Sequence, residues 1–216
     1  MSGALRAALL AAADAVDAAR AELGALDGAA GDGDHGMSMS IGGRNLRRRL
    51  EALPAEASDA ELVRAAAAAM SAVGGAIGPL YDAALNAVAR VLEDRGEPAV
   101  VAHLRGAADA AERAVMDLGG AAPGDKTLVD ALHPLVESLR TSDEAGQELA
   151  AAVASAIEAA ESGAAGTAGM VARVGRASRL GERSRGLPDA GATSLAIVVR
   201  AMVDGWRTAT PEPDRR

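Results

Sequence analysis

A chain with 56 alanines but only one Trp, one Tyr and no Phe in 216 residues has little with which to fill a β-sandwich or a barrel of strands. Such sheets are packed by aromatic and β-branched side chains. Alanine has the highest helix propensity and lets helices approach closely. The predicted class is therefore all-α. Apolar residues recur at helical spacing along nearly the whole chain, and the pattern predicts helices at about 2–25, 36–53, 58–73, 79–94, 99–118, 126–140, 143–174 and 190–207. No run alternates with period two for long enough to specify a strand.

The breaks carry recognisable punctuation. Residues 28–36 are glycine-rich, Pro54 follows the second helix, and Ser58 with Glu61 has capping-box spacing. Gly74 and Gly75 end the third helix and Gly78-Pro79 opens the fourth. Thr141, Ser142 or Asp143 is placed to cap the seventh. At about 150 residues per domain, residues 1–210 read as one domain, with a polar tail at 211–216 that is expected to fray.

Charge and cysteine content exclude several function classes. The net charge is -8, which disfavours nonspecific nucleic-acid binding. With no Cys there is no disulfide framework, thiolate metal site or Cys nucleophile. The apolar N-terminal stretch is interrupted by Asp14 and Asp17 and is amphipathic, so it reads as neither a signal peptide nor a spanning helix. A cytoplasmic protein without a membrane partner is expected.

The polar information sits in four segments: Asp27–Ser38, Gly74–Tyr81, Gly119–Asp130 and Gly175–Gly191. In an up-and-down bundle every second connection lies at the same end. These four follow the first, third, fifth and seventh predicted helices, so they should meet.

The first reads LDGAAGDGDHGMSMS and crowds Asp27, Asp32 and Asp34 together. Three carboxylates on a short loop repel one another unless a cation lies between them. Hard oxygen donors without thiolate point to Mg2+ or a similar ion; a solvated acidic turn that caps a helix explains the same three residues. In the second, Gly74, Gly75 and Gly78 let backbone approach a ligand and Pro79 opens a helix, an arrangement suited to phosphate, although it also makes an ordinary helix–helix turn. The third holds Lys126, the only lysine beside 21 arginines, which points to a role that a guanidinium does not fill. In the fourth, Arg176, Arg179, Arg183 and Arg185 alternate with glycines. A long Gly/Arg loop in a compact helical chain is either a phosphate clamp or a solvated loop. His35 adjoins the carboxylates, whereas His103 and His133 fall within helices and read as structural.

Three look-alike motifs fail on context. Gly31-x-Gly33-x-x-Gly36 follows a helix, not the strand that a dinucleotide fingerprint needs. An EF-hand starting at Asp32 would have Gly43 where its bidentate Glu belongs. Gly119 to Lys126 misses a P-loop by the intervening Asp125 and by the lack of a preceding strand.

In order along the chain, GDGDHG at 31–36, GGAIGPLYD at 74–82, GDKTLVD at 124–130 and GRASRLGERSRGLPDAGA at 175–192 resemble the nucleotide-binding subunit of dihydroxyacetone kinase, the DhaL or DAK2 family. The resemblance implies a barrel of about eight antiparallel helices with ADP or ATP at one end. It implies that Asp27, Asp32 and Asp34 hold two Mg2+ ions. Nucleotide contacts are implied for His35, Gly36, Met37, Ser38, Gly75, Ala76, Ile77, Gly78, Gly119, Lys126, Thr127, Leu128, Arg176, Asp189, Ala190 and Gly191. Gly119 and Leu128 flank the base in this reading, and Arg176 with the Asp189–Gly191 turn closes over the nucleotide. The implied activity is metal-assisted transfer of a phosphoryl group to dihydroxyacetone or a related keto-sugar held by a separate DhaK-type subunit. No residue of this chain acts as acid or base. A DhaM-type phosphotransfer subunit is a further implied partner.

The chain departs from the family pattern at Ile77 (Ser in the family), Ser38 (Asn), Asp82 (Gly), Arg179 (Tyr) and Ala190 (Pro). The metal triad is untouched by these changes. Two other readings remain: a kinase module for another acceptor such as a fatty acid, and a noncatalytic nucleotide-sensing regulatory protein.

Overall fold

The computed structural model describes residues 2–93 and 100–210. The expected tail at 211–216 lies outside them, as do the predicted ends of two helices near residues 94 and 99. Among the described residues there are nine α-helices and no strand. They are α1 (Ser2–Ala18), α2 (Arg20–Ala30), α3 (His35–Ala52), α4 (Asp59–Ser71), α5 (Ile77–Glu93), α6 (Val101–Gly119), α7 (Val129–Glu144), α8 (Leu149–Gly166) and α9 (Ala190–Ala209). Two 3-10 segments, Thr167–Gly169 and Arg176–Ser184, fill the connection between α8 and α9.

The helices close a ring. α1 packs on α3, and each helix from α3 to α8 packs on the next. α9 packs on both α8 and α1. With α1 and α2 taken as one interrupted strut, the ring has eight staves, which is the expected all-α barrel. Small residues make the closure possible. A Cβ on Gly205 of α9 would come within 2.6 Å of the Ala11 side chain on α1. The inside of the ring is apolar, built around Leu23, Val115, Val129, Leu132 and Val136 at the loop end. Leu9, Leu46, Leu50 and Leu62 fill the opposite end.

Several boundaries differ from the predicted ones. The first helix breaks at Ala19 and its continuation runs to Ala30, so only residues 31–34 form the acidic loop. The predicted start at 126 moves to Val129. Lys126 is left-handed there (φ 63°), and the Asp130 carboxylate accepts from the Gly124 and Thr127 amides at 2.5 and 2.8 Å, which winds the segment into a turn. The long helix predicted at 143–174 begins at Leu149, after a left-handed turn at Gly146, and ends at Gly166. The Ser58–Glu61 capping box forms as expected.

Candidate functional site

All four glycine-bearing segments line one cavity of about 550 Å3 at the end of the barrel. That size lies in the usual range for a small-molecule pocket. Asp27 comes from the last turn of α2, Asp32 from the loop and Asp34 from the residue before α3. Each offers a carboxylate oxygen, and these oxygens lie within 4.8 Å of one another. Asp27 is half-buried and the other two are exposed. The spacing is set by backbone: the Gly31 amide donates to the Asp27 carbonyl at 2.5 Å, and the His35 amide donates to Oδ2 of Asp27 at 3.3 Å. Gly36 permits the crossing that brings α3 against α2, because a Cβ there would strike the Arg20 carbonyl.

Arg176 reaches the same carboxylates from the loop between α8 and α9. Its guanidinium pairs with Asp32 and lies 3.3 Å from Oδ1 of Asp34. Three hard oxygen donors gathered around one point suit Mg2+, and the neighbouring guanidinium is a natural ligand for a phosphate bound to such an ion.

The remaining predicted positions separate into two groups. His35, Ser38, Gly75, Ala76, Ile77, Gly119, Lys126, Thr127, Leu128, Arg176, Asp189, Ala190 and Gly191 border the cavity with Asp27 and Asp34. Asp32, Gly36, Met37 and Gly78 do not. Gly36 and Gly78 are consumed by close packing, the latter against the Val73 carbonyl. Met37 is 43% exposed on the outside of α3. Ile77, where the family pattern has Ser, packs against the apolar core.

Two cavity residues are engaged more deeply than their motifs imply. His35 is buried, and its Nε2 lies 2.9 Å from Oγ of Ser194 on α9. Burial pushes its imidazole below the ordinary value, while the Asp27 charge opposes the shift. Lys126 turns its ammonium away from open space and onto four backbone carbonyls. Asp189 caps α9 by accepting from the Ala192 amide at 2.8 Å. Burial pushes its carboxyl up to about 6, against the favourable pull of that amide and of the Lys126 charge.

Sequence reasoning missed Ser194 and Leu118. Ser194 is fully buried on the apolar face of α9, where a serine gives no local signal. Leu118 lines the cavity while 56% exposed, a large apolar side chain at the mouth of a polar site. His133 accords with a structural role, pairing with Glu112 at 2.7 Å.

The DAK2 domain matches residues 29–204. The chain is 41% identical over 194 residues to D-erythrulose kinase of Mycolicibacterium smegmatis, covering 89% of this chain and 33% of that one. It is 36% identical over 177 residues to the ADP-binding subunit DhaL of the PEP-dependent dihydroxyacetone kinase of Escherichia coli, covering 82% of this chain and 84% of that one. The chain thus spans about a third of the erythrulose kinase but most of the DhaL subunit. Among solved structures, the dihydroxyacetone kinase of C. freundii aligns at 26% identity. The TM-score is 0.71 for its native form, over 93% of this chain and 34% of that one. It is 0.65 for the complex with AMP-PNP and Mg2+, over 94% and 33%. The eight-stave ring, the triad at its open end and these likenesses agree: the chain is a DhaL-like member of the DAK2 domain family.

Proposed function

We propose that this chain is the nucleotide-binding, phosphoryl-donating part of a small keto-sugar kinase. The observation that carries the reading is a cluster of three carboxylates, two of which line, with Arg176, one 550 Å3 cavity walled by four glycine-bearing loops. Asp27, Asp32 and Asp34 would hold two Mg2+ ions, which neutralise and orient the nucleotide phosphates. The amides around Gly75 and Ala76 and the start of α5 face the phosphates. Val115, Leu118, Gly119 and Leu128 supply an apolar wall for the base. Arg176, beside the same carboxylates, would bind phosphate oxygens. Titrating groups play little part, because phosphoryl transfer depends chiefly on positioning and charge neutralisation.

The acceptor is a short ketose, dihydroxyacetone or its four-carbon homologue erythrulose, presented by a DhaK-type subunit or domain. The relatives support this class: three of them are named as erythrulose kinases and one is a dihydroxyacetone kinase subunit. Rephosphorylation of bound ADP by a DhaM-type subunit is the alternative to exchange with free ATP.

An ADP-release assay tests the reading with dihydroxyacetone and both erythrulose enantiomers, with and without a DhaK-type partner. Ketose-dependent turnover that requires the partner is expected. Proximity and orientation contribute on the order of 7–11 kcal/mol to such a transfer, and this chain alone would forgo that contribution. Robust turnover by this chain without a partner would place the acceptor site here instead.

A further inference from the structure

Lys126 is the only lysine in the sequence, and it is 4% exposed. Its Nζ donates to the carbonyls of Ser184 at 2.7 Å, Leu187 at 2.8 Å and Thr167 at 2.9 Å, with the Met170 carbonyl at 3.4 Å. These acceptors come from two separate stretches of chain. Thr167 and Met170 lie before the 3-10 segment that carries Arg176, Ser184 is the last residue of that segment, and Leu187 lies after it. One ammonium therefore ties both sides of the neck of a single surface loop, an arrangement of the Ω-loop kind.

The neck is wired around that ammonium. The Gly186 amide donates to the Ala168 carbonyl at 2.9 Å, and the Ala172 amide to Oγ of Ser184 at 2.9 Å. The Arg173 amide donates to the Asp125 carbonyl at 3.1 Å, which fastens the loop to the turn bearing Lys126. Beyond the neck only Ser184 of Arg176–Ser184 is buried, and the exposed pairs of Arg176 with Asp32 and Asp34 hold the rest. Burying an ammonium is costly unless its protons find acceptors. Three close carbonyls supply them, and the Asp189 charge opposes the downward push that burial exerts on the lysine. A guanidinium is a planar fork and does not match acceptors grouped around a point, which accounts for a lysine here in a chain that otherwise uses arginine.

We propose that Lys126 is a positioning residue: it clasps the loop between Met170 and Ser184 and so holds Arg176 over the Asp32–Asp34 pair for the bound Mg-nucleotide. The ammonium acts on the loop backbone and not on the phosphates. The proposal rests on the nucleotide reading above, but its first test does not.

The loop contains four tryptic sites, Arg173, Arg176, Arg179 and Arg183. Full-length wild type, Lys126→Met and Lys126→Arg are to be compared by limited trypsinolysis with mass-spectrometric mapping and by calorimetry with Mg-ADP. Helix content is followed by circular dichroism. Losing several hydrogen bonds to a buried charge should raise loop opening by about tenfold or more. The expected result is cleavage at the four arginines faster by at least about that factor in Lys126→Met, with helix content unchanged and Mg-ADP affinity reduced by a similar factor. Lys126→Arg, which keeps the charge, should be cut at an intermediate rate. If Lys126→Met does not fold, Lys126→Arg decides alone. Wild-type cleavage in a folded variant overturns the clasp, as does faster cleavage spread evenly over the chain. Unchanged Mg-ADP affinity with a freed loop overturns the positioning role. Absence of Mg-ADP binding by wild type would instead sink the nucleotide reading, with the cleavage result still deciding the clasp.

Discussion

Nε2 of His35 meets Oγ of Ser194 at 2.9 Å across a separation of 159 residues. The bond pins the start of α3 to the first turns of α9, and so links the carboxylate loop to the Asp189–Gly191 turn on the other side of the cavity. Both partners are buried. Ser194 also donates to the Gly191 carbonyl at 3.0 Å. Ser194→Ala should cost about 1–3 kcal/mol, the penalty for leaving a buried imidazole nitrogen unpaired. Urea denaturation measures this. A loss below a few tenths of a kcal/mol would show that water replaces the hydroxyl.

The carboxylate triad should make nucleotide binding depend on Mg2+. Asp32→Asn and Asp34→Asn each remove one charge from the set of three and should weaken Mg-ADP binding by more than about tenfold in calorimetry. Equal ADP affinity with and without EDTA would falsify the metal assignment.

Gly36 tests whether the α2–α3 crossing sets the triad. Gly36→Ala drives a methyl into the Arg20 carbonyl and toward the Gly24 amide. Backbone cannot yield as a flexible side chain does, so a loss of about 1–3 kcal/mol is expected. The Mg-ADP dissociation constant should rise with it, because α2 carries Asp27 and Asp34 precedes α3. A variant as stable as wild type would mean that the two helices slide apart freely.

Asp189 predicts a pH signature. Burial raises its folded-state carboxyl to about 6 from an ordinary 3.8. Between those values the folded state holds more protons than the unfolded one, so this group's contribution to stability falls as pH rises through the window. Asp189→Asn keeps an N-cap acceptor and removes the titration. The stability difference between wild type and variant should therefore change by on the order of 2 kcal/mol between pH 4 and 7, with wild type losing ground toward neutrality. A pH-independent difference would show that the carboxyl is ionised throughout.

Ligand linkage gives a simple check on the cavity. Mg-ADP at about 100 times its dissociation constant should stabilise the fold by about 2.7 kcal/mol. The melting temperature should go on rising as ligand is added. Flat melting curves up to millimolar Mg-ADP would favour a member that has lost nucleotide binding.

The helical class, the order of the staves and the meeting of four loops at one end were legible in the residues alone, because each rests on local rules. Alanine-rich amphipathic periodicity makes helices, glycine and proline punctuate them, and alternation around an even ring puts every second loop together. The Asp27–Asp32–Asp34 cluster was legible for the same reason, as its members are neighbours in sequence. What the tertiary structure decided depends on distant partners. The end of α8 at Gly166 lies in an Ala/Gly run whose composition continues unchanged. Thr167 leaves the helix with its carbonyl on Lys126, 41 positions earlier, and its hydroxyl on the Asp189 amide. Gly78 reads as a phosphate-loop glycine and Gly36 as a nucleotide contact, yet their missing side chains are required by carbonyls of neighbouring segments. Ser194 has no local mark at all, and only the closing of α9 against α2 and α1 brings it to His35. A side chain's hydrogen-bond partner is chosen by what the folded chain places within about 3 Å, and along a helix that neighbour is seldom close in sequence.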